Sequence, residues 1–438
     1  MYFYPHLRMI SNTGLDGKEE LTLPLPRLRF HFARFQEAVW PFFILAVGCV
    51  VHAWMFRRNP YVPLTGDMVH YNHAADLLLQ RHVLTYWSTA PAAQVTPGYP
   101  LFVALCKWLA GHVYPRWGEF GLPGLRMTVW LQAALAIGTS LIVYRVARRV
   151  CPPRWAMLAA LLWTLYLPQV KAASFVLTET LFNFLFWSFI LSFCRALERS
   201  TLPRWFFTGL LLGLSVLVRP TPLPYMAGIA LCLGWRWRSG QASLKEVALR
   251  FGGAVSGFVL CLAPWWIRNW RAFHRLILTS EDAGNPLLNG SIPDWADWPV
   301  PPGLTSQEQV KLALSYIAQG FSQHPLAYLK WLTVDKLWRM FSAPWYPDTE
   351  PYQWWANLHI LWVGLGAAGI LWATLATPQV RWLLWFPLVL AGLQLPFIPL
   401  PRYVFPVMPD AFLGTAVLGY RLTEWMSRRV ARETHRFA

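Results

Sequence analysis

An aspartate at the start of an amphipathic helix is the residue of this sequence best suited to acid–base chemistry. Asp67 follows the first long apolar segment, and Tyr71, Ala74, Ala75 and Leu78 come after it at helical spacing. The helix dipole stabilises a carboxylate at a helix N-terminus, and a carboxylate within hydrogen-bond reach of a hydroxyl can take its proton. Asp67 is therefore a candidate general base. The structural alternative is a helix N-cap, and the two roles can coexist.

Two histidines and another aspartate follow Asp67 at steps of three residues, namely His70, His73 and Asp76. A step of three turns about 300° around a helix with 3.6 residues per turn, so the four side chains fan out instead of converging. At most Asp67 and His70 share a face. The pattern favours a solvated helix surface over a metal site. No metal ligand is predicted, and a requirement for a divalent metal is left open.

The chain that must position Asp67 is strongly apolar. It is 55% hydrophobic and only 13% charged, whereas about a quarter of the residues in a soluble domain are charged. A membrane span needs roughly 20 mostly apolar residues. Ten segments are predicted to span: 38–56, 125–146, 155–172, 175–197, 204–219, 221–236, 247–267, 356–375, 380–398 and 403–422. The fold class predicted is therefore an all-α polytopic integral membrane protein, in which the two short segments beside Arg219-Pro220 could instead form a broken pair.

Arginine-rich connections orient these spans. Short connections rich in Lys and Arg face the cytoplasm, and such clusters occur at 145–154, 195–204 and 421–436. Both termini are then cytoplasmic, and the long loops 57–124 and 268–355 lie on the outer face with most of the acidic residues. In loop one, residues 67–81 and 101–110 are predicted as helices on the outer membrane surface. Loop two is predicted to carry helices at 305–322 and 325–341.

The predicted organisation has five parts: a cytoplasmic N-terminal tail (1–37), a transmembrane core that includes loop one (38–267), loop two (268–355), C-terminal transmembrane helices (356–422) and a basic cytoplasmic tail (423–438). The first 37 residues lack an apolar core and a cleavage site, so the first span is predicted to be an uncleaved anchor. The net charge of +17 is explained by topology and by anionic membrane lipids rather than by nucleic acid. The six cysteines are scattered and support neither a disulfide framework nor a zinc site.

Several motifs follow Asp67 in a recognisable order. They are Thr-Pro-Gly-Tyr-Pro-Leu at 96–101, an Arg-rich turn, Leu-Thr-Glu-Thr-Leu-Phe at 177–182, Arg219-Pro220, Pro-Trp-Trp-Ile-Arg-Asn at 264–269 and Arg-Tyr-Val-Phe-Pro at 402–406. This order resembles the polyprenyl-phosphate-sugar-dependent glycosyltransferases of the GT-C fold. Among these the chain is similar to the bacterial protein O-mannosyltransferase and aminoarabinose transferase group (glycosyltransferase family 39-like), over residues 40–410. The family's frequent Asp-Glu pair in loop one is Asp67-Met68 here, so no second acid is implied.

The resemblance implies a chemistry for these residues. Asp67 would be the general base of an inverting transfer, in which an acceptor hydroxyl attacks the anomeric carbon as the lipid phosphate leaves. Glu179 would shape the site by binding acceptor or metal; its alternative role is that of an interfacial side chain reaching water. Arg219, Arg268 and Arg402 would bind the donor phosphate, and the alternative for each is snorkelling to lipid headgroups.

Further substrate-binding residues implied by the resemblance are Asn269, Tyr71, Tyr99 and Tyr403, although tyrosines also belong to the aromatic belts of membrane proteins. The function implied is transfer of a sugar from a polyprenyl-phosphate donor to a glycan, lipid or protein acceptor on the outer face of a bacterial cytoplasmic membrane. Two alternatives remain open from the residues. One is a transporter or flippase of lipid-linked sugars, which would carry polar residues at mid-membrane depth. The other is a non-catalytic envelope assembly protein.

Overall fold

We describe residues 25–58, 64–113, 122–281, 284–345, 353–376 and 378–437 of the computed structural model. The first 24 residues of the predicted N-terminal tail lie outside the described residues. The first ten helices are α1 (Leu25–Arg58), α2 (Asp67–Arg81), α3 (Gly98–Val113), α4 (Leu122–Ala147), α5 (Pro153–Leu165), α6 (Leu167–Ala172), α7 (Glu179–Glu198), α8 (Leu202–Val218), α9 (Tyr225–Arg238) and α10 (Leu244–Phe273). The others are α11 (Gly284–Ser291), α12 (Ser306–Gln323), α13 (Pro325–Lys330), α14 (Lys336–Phe341), α15 (Gln353–Ala376), α16 (Pro378–Leu393), α17 (Pro401–Val404) and α18 (Met408–Phe437).

All regular secondary structure in these described ranges is helical, which confirms the predicted all-α class. Among the described residues, five helical segments are long and apolar enough to cross a membrane: Val39–Arg58, Gly124–Ala147, Glu179–Glu198, Leu244–Phe273 and Asn357–Leu375. Two shorter apolar helices, Leu202–Val218 and Leu383–Leu393, accompany them. Each of the ten predicted spans coincides with a helix or a pair of helices, and how many of them cross the membrane stays a prediction.

The third predicted span, 155–172, is not one helix. It is divided at Tyr166 into α5 and α6, and Pro168 lies in the first turn of α6. Proline lacks a backbone N–H and clashes with the preceding turn, so a helix running through this position would lose a hydrogen bond. The break ends α5 early and brings the short α6 beside the start of α7.

Small residues let α8 and α10 approach each other closely. Gly209 of α8 lies against the backbone of Ala254 in α10, and Gly257 lies against the backbone of Phe206, so a Cβ at either glycine would collide with the other helix. At the end of α8, the Thr96 hydroxyl donates to the carbonyl oxygen of Val218 at 3.0 Å. The glycine contacts hold α8 against α10, and the bond from Thr96 holds the end of α8, which is followed directly by Arg219.

The second long loop holds the segment that leads to Arg402. The backbone N–H of Ile398 donates to the carbonyl oxygen of Pro286 at 2.9 Å. The Nζ atom of Lys336, in α14, donates to the carbonyl oxygens of Leu395 at 2.7 Å and Phe397 at 3.1 Å. Hydrogen bonds from the second long loop therefore hold the turn between α16 and α17, and they set the direction of α17. We call the bonds of Lys336 to this turn the clamp.

The clamp gives a pH-dependent stability that can be measured. Lys336 is fully buried, and burial lowers the pKa of its ammonium from 10.5 to about 7. Between these two values the unfolded chain binds more protons than the folded one, so raising the pH from about 7 to about 10 stabilises the folded protein through this group. Lys336→Met removes the group. We expect the wild-type Tm to rise by a few degrees relative to that of the variant across this range in lipid nanodiscs. A Tm difference that does not change with pH would contradict this.

Candidate functional site

Asp67 begins α2, and its carboxylate faces other elements of the fold. Gly66 occupies the N-cap position with φ of 52°, a conformation that favours glycine. Oδ1 of Asp67 accepts from the Tyr86 hydroxyl at 3.1 Å, and Oδ2 accepts from Nη1 of Arg402 at 2.9 Å. The N-cap alternative for Asp67 is therefore wrong, because Gly66 takes that position. The Asp67 side chain stays 42% exposed and can be reached by a ligand.

Arg402 joins Asp67 to a second carboxylate from a distant helix. Its Nε donates to Oε1 of Glu179 at 2.8 Å while its Nη1 bonds Asp67. Arg219 also donates to Glu179 through Nη2, and its Nε donates to the Thr178 hydroxyl at 2.8 Å. Four predicted site residues from α2, α7, α17 and the end of α8 therefore form one hydrogen-bonded cluster, which we call the ion-pair cluster (Asp67, Glu179, Arg219 and Arg402).

The buried member of the ion-pair cluster is Glu179, the first residue of α7, which has no exposed surface. A buried carboxylate is costly unless it is paired and hydrogen-bonded, and two guanidinium groups meet that need here. Although burial of Arg402 opposes its charged form, Glu179 and Asp67 raise the pKa of its guanidinium above the ordinary value. The interpretation of Glu179 as an interfacial side chain reaching water is therefore wrong. Its carboxylate accepts hydrogen bonds from the two arginines and from the Thr178 hydroxyl.

Three buried tyrosines pack against one another next to Asp67. The Tyr71 ring lies 5.3 Å from that of Tyr86 and 4.8 Å from that of Tyr99, and all three are buried. The Tyr99 hydroxyl donates to Oε1 of Gln132 at 2.7 Å. Burial raises the pKa of all three hydroxyls, so they remain protonated donors. Tyr403 follows Arg402 directly and is half-buried.

Arg268 lies apart from the ion-pair cluster in its hydrogen bonds. Its Nη2 donates to the carbonyl oxygen of Leu84 at 2.6 Å, and its Nη1 donates to that of Ala92 at 2.9 Å and to Oδ1 of Asn269 at 2.8 Å. Asn269 is buried. These bonds close residues 84–92 into a loop, which we call the stapled loop. Arg268 therefore organises the loop that contains Tyr86, and its predicted contact with phosphate gains no support from these bonds.

The other polar residues of α2 are held by protein partners. Nε2 of His73 lies 3.1 Å from the carbonyl oxygen of Ser88. Asp76 accepts from Nζ of the buried Lys107 at 2.5 Å. Across the ranges described above, no group of three or more His, Cys, Asp or Glu residues is arranged to hold a metal ion. The prediction of a solvated surface is therefore wrong for Asp76, because its carboxylate pairs with Lys107 of α3.

Tyr86 is the site residue that the sequence did not reveal. It lies 19 positions after Asp67, beyond the end of α2 and in a segment without helical or strand periodicity. The only local signal is an aromatic pair, Tyr86-Trp87, in a region expected to carry interfacial aromatics. Its contact with Asp67 depends on the hydrogen bonds of Arg268 that close the stapled loop. A contact of this kind cannot be predicted from the spacing of neighbouring residues.

Comparisons with known proteins bear on this arrangement. The family model of dolichyl-phosphate-mannose-protein mannosyltransferase matches residues 121–267, which carry Glu179 and Arg219 and most of the motif at 264–269. No curated protein matches the chain.

Solved structures similar to the chain include the archaeal oligosaccharyltransferase AglB from Archaeoglobus fulgidus. In complex with an inhibitory peptide and a dolichol-phosphate it gives a TM-score of 0.50 at 13% identity, covering 90% of this chain and 52% of that one. The form of the Archaeoglobus fulgidus enzyme with zinc and sulfate gives a TM-score of 0.55 at 16% identity, and the match covers 89% of this chain and 50% of that one. ArnT from Cupriavidus metallidurans, bound to undecaprenyl phosphate, gives a TM-score of 0.41 at 14% identity, and the match covers 87% of this chain and 78% of that one.

The chain thus spans about half the length of the archaeal structures it matches. These likenesses confirm the GT-C fold that the order of motifs predicted, and the family match supports a glycosyltransferase with that fold. Together with the long apolar helices, they make the chain a multi-pass membrane protein.

Proposed function

We propose that this GT-C-fold chain is an inverting glycosyltransferase that moves a sugar from a polyprenyl-phosphate donor to an acceptor on the outer face of a bacterial cytoplasmic membrane. The observation that carries the proposal is the ion-pair cluster. An accessible carboxylate and two guanidinium groups, contributed by segments far apart in sequence, meet in one hydrogen-bonded unit. A base and fixed positive charge are the two functions that displacement of a lipid phosphate requires.

The arginines suit the donor phosphate. Arg402 donates one N–H to Glu179 and one to Asp67. As far as the described residues show, three of its five N–H groups are left for a ligand. The structures similar in fold include one in complex with a dolichol-phosphate, and a phosphate of this kind is the ligand we propose here. The two positive charges are balanced by Asp67 and Glu179 in the structure. A bound phosphate would compete for Arg402 and loosen its hold on Asp67.

Asp67 is the proposed base. The acceptor hydroxyl attacks the anomeric carbon, a bond forms between that oxygen and the carbon, and the bond from the carbon to the phosphate oxygen breaks. The hydroxyl proton passes to the Asp67 carboxylate, and the polyprenyl phosphate leaves against Arg219 and Arg402. Glu179 holds both guanidiniums in position, since a planar guanidinium bound at two points keeps its orientation. Arg268 takes no direct part in this step.

Purified protein in lipid nanodiscs tests the proposed function. The donor is a mixture of polyprenyl phosphates carrying radiolabelled sugars, and the acceptors come from an envelope extract. We expect label to move to an acceptor and free polyprenyl phosphate to appear in equal amount. Donor that stays intact with every sugar and every extract would contradict the proposal.

The mechanism also requires both long loops to share one face of the membrane. In a background without the six native cysteines, a single Cys replaces the exposed Thr89, Ser315, Ser239 or Ser427. Thr89→Cys and Ser315→Cys should react with an impermeant thiol reagent in intact cells. Ser239→Cys and Ser427→Cys should react only after permeabilisation. Ser239 follows Arg236 and Arg238, Ser427 lies in the cluster 421–436, and arginine-rich connections face the cytoplasm. Labelling of Ser239→Cys from outside would contradict the shared face.

A further inference from the structure

An exposed indole lies beside the ion-pair cluster without a role in the proposed chemistry. Trp87 is 52% exposed, although its neighbour Tyr86 is buried and donates to Asp67. The ring of Trp87 lies 5.0 Å from that of Tyr86 and 5.4 Å from that of His70. The three aromatic rings therefore form one contiguous cluster, in which the buried Tyr86 contacts Asp67 and Trp87 is exposed to solvent.

The stapled loop holds this indole firmly. Arg268 closes the base of the loop through the carbonyls of Leu84 and Ala92, and the backbone N–H of Ala92 donates to Leu84 at 3.1 Å. At the tip, the hydroxyls of Thr85 and Ser88 lie 2.8 Å apart. A side chain presented by a loop that is already ordered costs little conformational entropy when a ligand binds.

The two oxygens of Asp67 face chemically different sides. Oδ2 faces Arg402 and, beyond it, Glu179 and Arg219. Oδ1 faces the Tyr86 hydroxyl and, beyond it, the aromatic cluster of Tyr86, Trp87 and His70. An anionic phosphate belongs on the arginine side, where charge-assisted hydrogen bonds are available. The aromatic side offers the exposed face of the Trp87 indole and one hydroxyl, that of Tyr86. These groups suit a neutral ring with C–H groups on its face and hydroxyls at its edge.

We propose that the stapled loop is the acceptor site and that Trp87 stacks on a pyranose ring of a sugar-bearing acceptor, directing its hydroxyl to Oδ1 of Asp67. This rests on the proposed function and deepens it, because it assigns the acceptor to the glycans rather than to protein hydroxyls. The attacking hydroxyl gives its proton to Oδ1 and forms the new bond to the anomeric carbon, while the bond to the phosphate oxygen breaks. The Tyr86 hydroxyl yields its place on Oδ1 to the acceptor.

Saturation-transfer NMR tests the acceptor site in nanodiscs, where no glycoside detergent competes. The probes are methyl glycosides of the common hexoses and a short peptide rich in serine and threonine. We expect saturation of the ring C–H protons of at least one glycoside on the wild-type protein. Trp87→Ala should weaken its Kd by about threefold to tenfold, as loss of an aromatic contact does, and Trp87→Phe by less. The control is Trp108→Ala on α3, whose indole is also exposed at 47%.

Three results would overturn the acceptor site: no saturation of any glycoside, equal Kd values for Trp87→Ala and Trp108→Ala, or binding of the peptide in place of the glycosides. Binding of polyprenyl phosphate to the same nanodiscs is measured in parallel. Its absence from wild-type protein would contradict the proposed donor, whereas glycoside binding that depends on Trp87 would still stand. The two failures are thus distinguishable.

Discussion

Asp67→Asn should leave a correctly inserted protein that transfers sugar on the order of 10²-fold more slowly, or worse, as loss of a general base typically does. The amide keeps the size of the side chain and can still accept a hydrogen bond from Tyr86 or Arg402. It cannot take the proton of the acceptor hydroxyl. Because Arg402 and Arg219 remain, binding of polyprenyl phosphate should persist. The measurements are the initial rate of label transfer and the Kd of the polyprenyl phosphate, both in nanodiscs.

Asp297→Asn is the matched control, since it makes the same change at an exposed position in the second long loop. We expect its rate to equal that of the wild type. A near wild-type rate for inserted Asp67→Asn protein would remove Asp67 from the proton-transfer step. Equal losses in the two variants would indicate a general effect of lowering negative charge.

Arg402→Lys should raise the KM for the donor and lower kcat/KM by about tenfold to a hundredfold. Arg402 bonds Glu179 and Asp67 at once through different nitrogens, and a single ammonium cannot reproduce that fork. Glu179 has no exposed surface, so weakening its pairing also leaves a buried carboxylate less compensated, which typically costs several kcal/mol when the partner is removed altogether. Arg402→Ala should therefore lower the Tm as well as the rate.

Arg429→Lys controls for loss of a guanidinium, because Arg429 makes an exposed pair with Glu433 one turn away on α18. Such surface pairs contribute little, so its KM and Tm should match those of the wild type. If Arg402→Lys retains wild-type donor kinetics, Arg402 only pairs with Asp67 and Glu179, and the ion-pair cluster is not the phosphate site.

Local patterns were enough for the elements that carry the site. The spacing of Tyr71, Ala74 and Leu78 predicted a helix from Asp67 to about Arg81, and α2 has these bounds. Glu179, Arg219 and Arg402 were predicted at one end of their spans, and the structure joins them to Asp67 across as many as 335 positions of sequence. Their convergence follows from alternating spans, which bring every second connection to the same face.

Contacts that depend on tertiary geometry could not be predicted from these local patterns. Arg268 occupies a span end like Arg219, and nothing in the neighbouring sequence shows that its guanidinium faces the carbonyls of Leu84 and Ala92. The partnership of Asp76 with Lys107 joins two helices whose mutual rotation is set by packing. A residue type and its depth in the membrane can be predicted from sequence, whereas the direction of a long side chain cannot.

The most direct test is the structure of Asp67→Asn protein with its polyprenyl-phosphate sugar bound, since this variant should bind donor without consuming it. We predict phosphate oxygens within about 3 Å of guanidinium nitrogens of both Arg219 and Arg402, the distance of a charge-assisted hydrogen bond. The anomeric carbon should face residue 67. The stapled loop should lie on the side of residue 67 opposite the phosphate. Phosphate bound instead at Arg268, or a sugar directed away from residue 67, would contradict the single site proposed here.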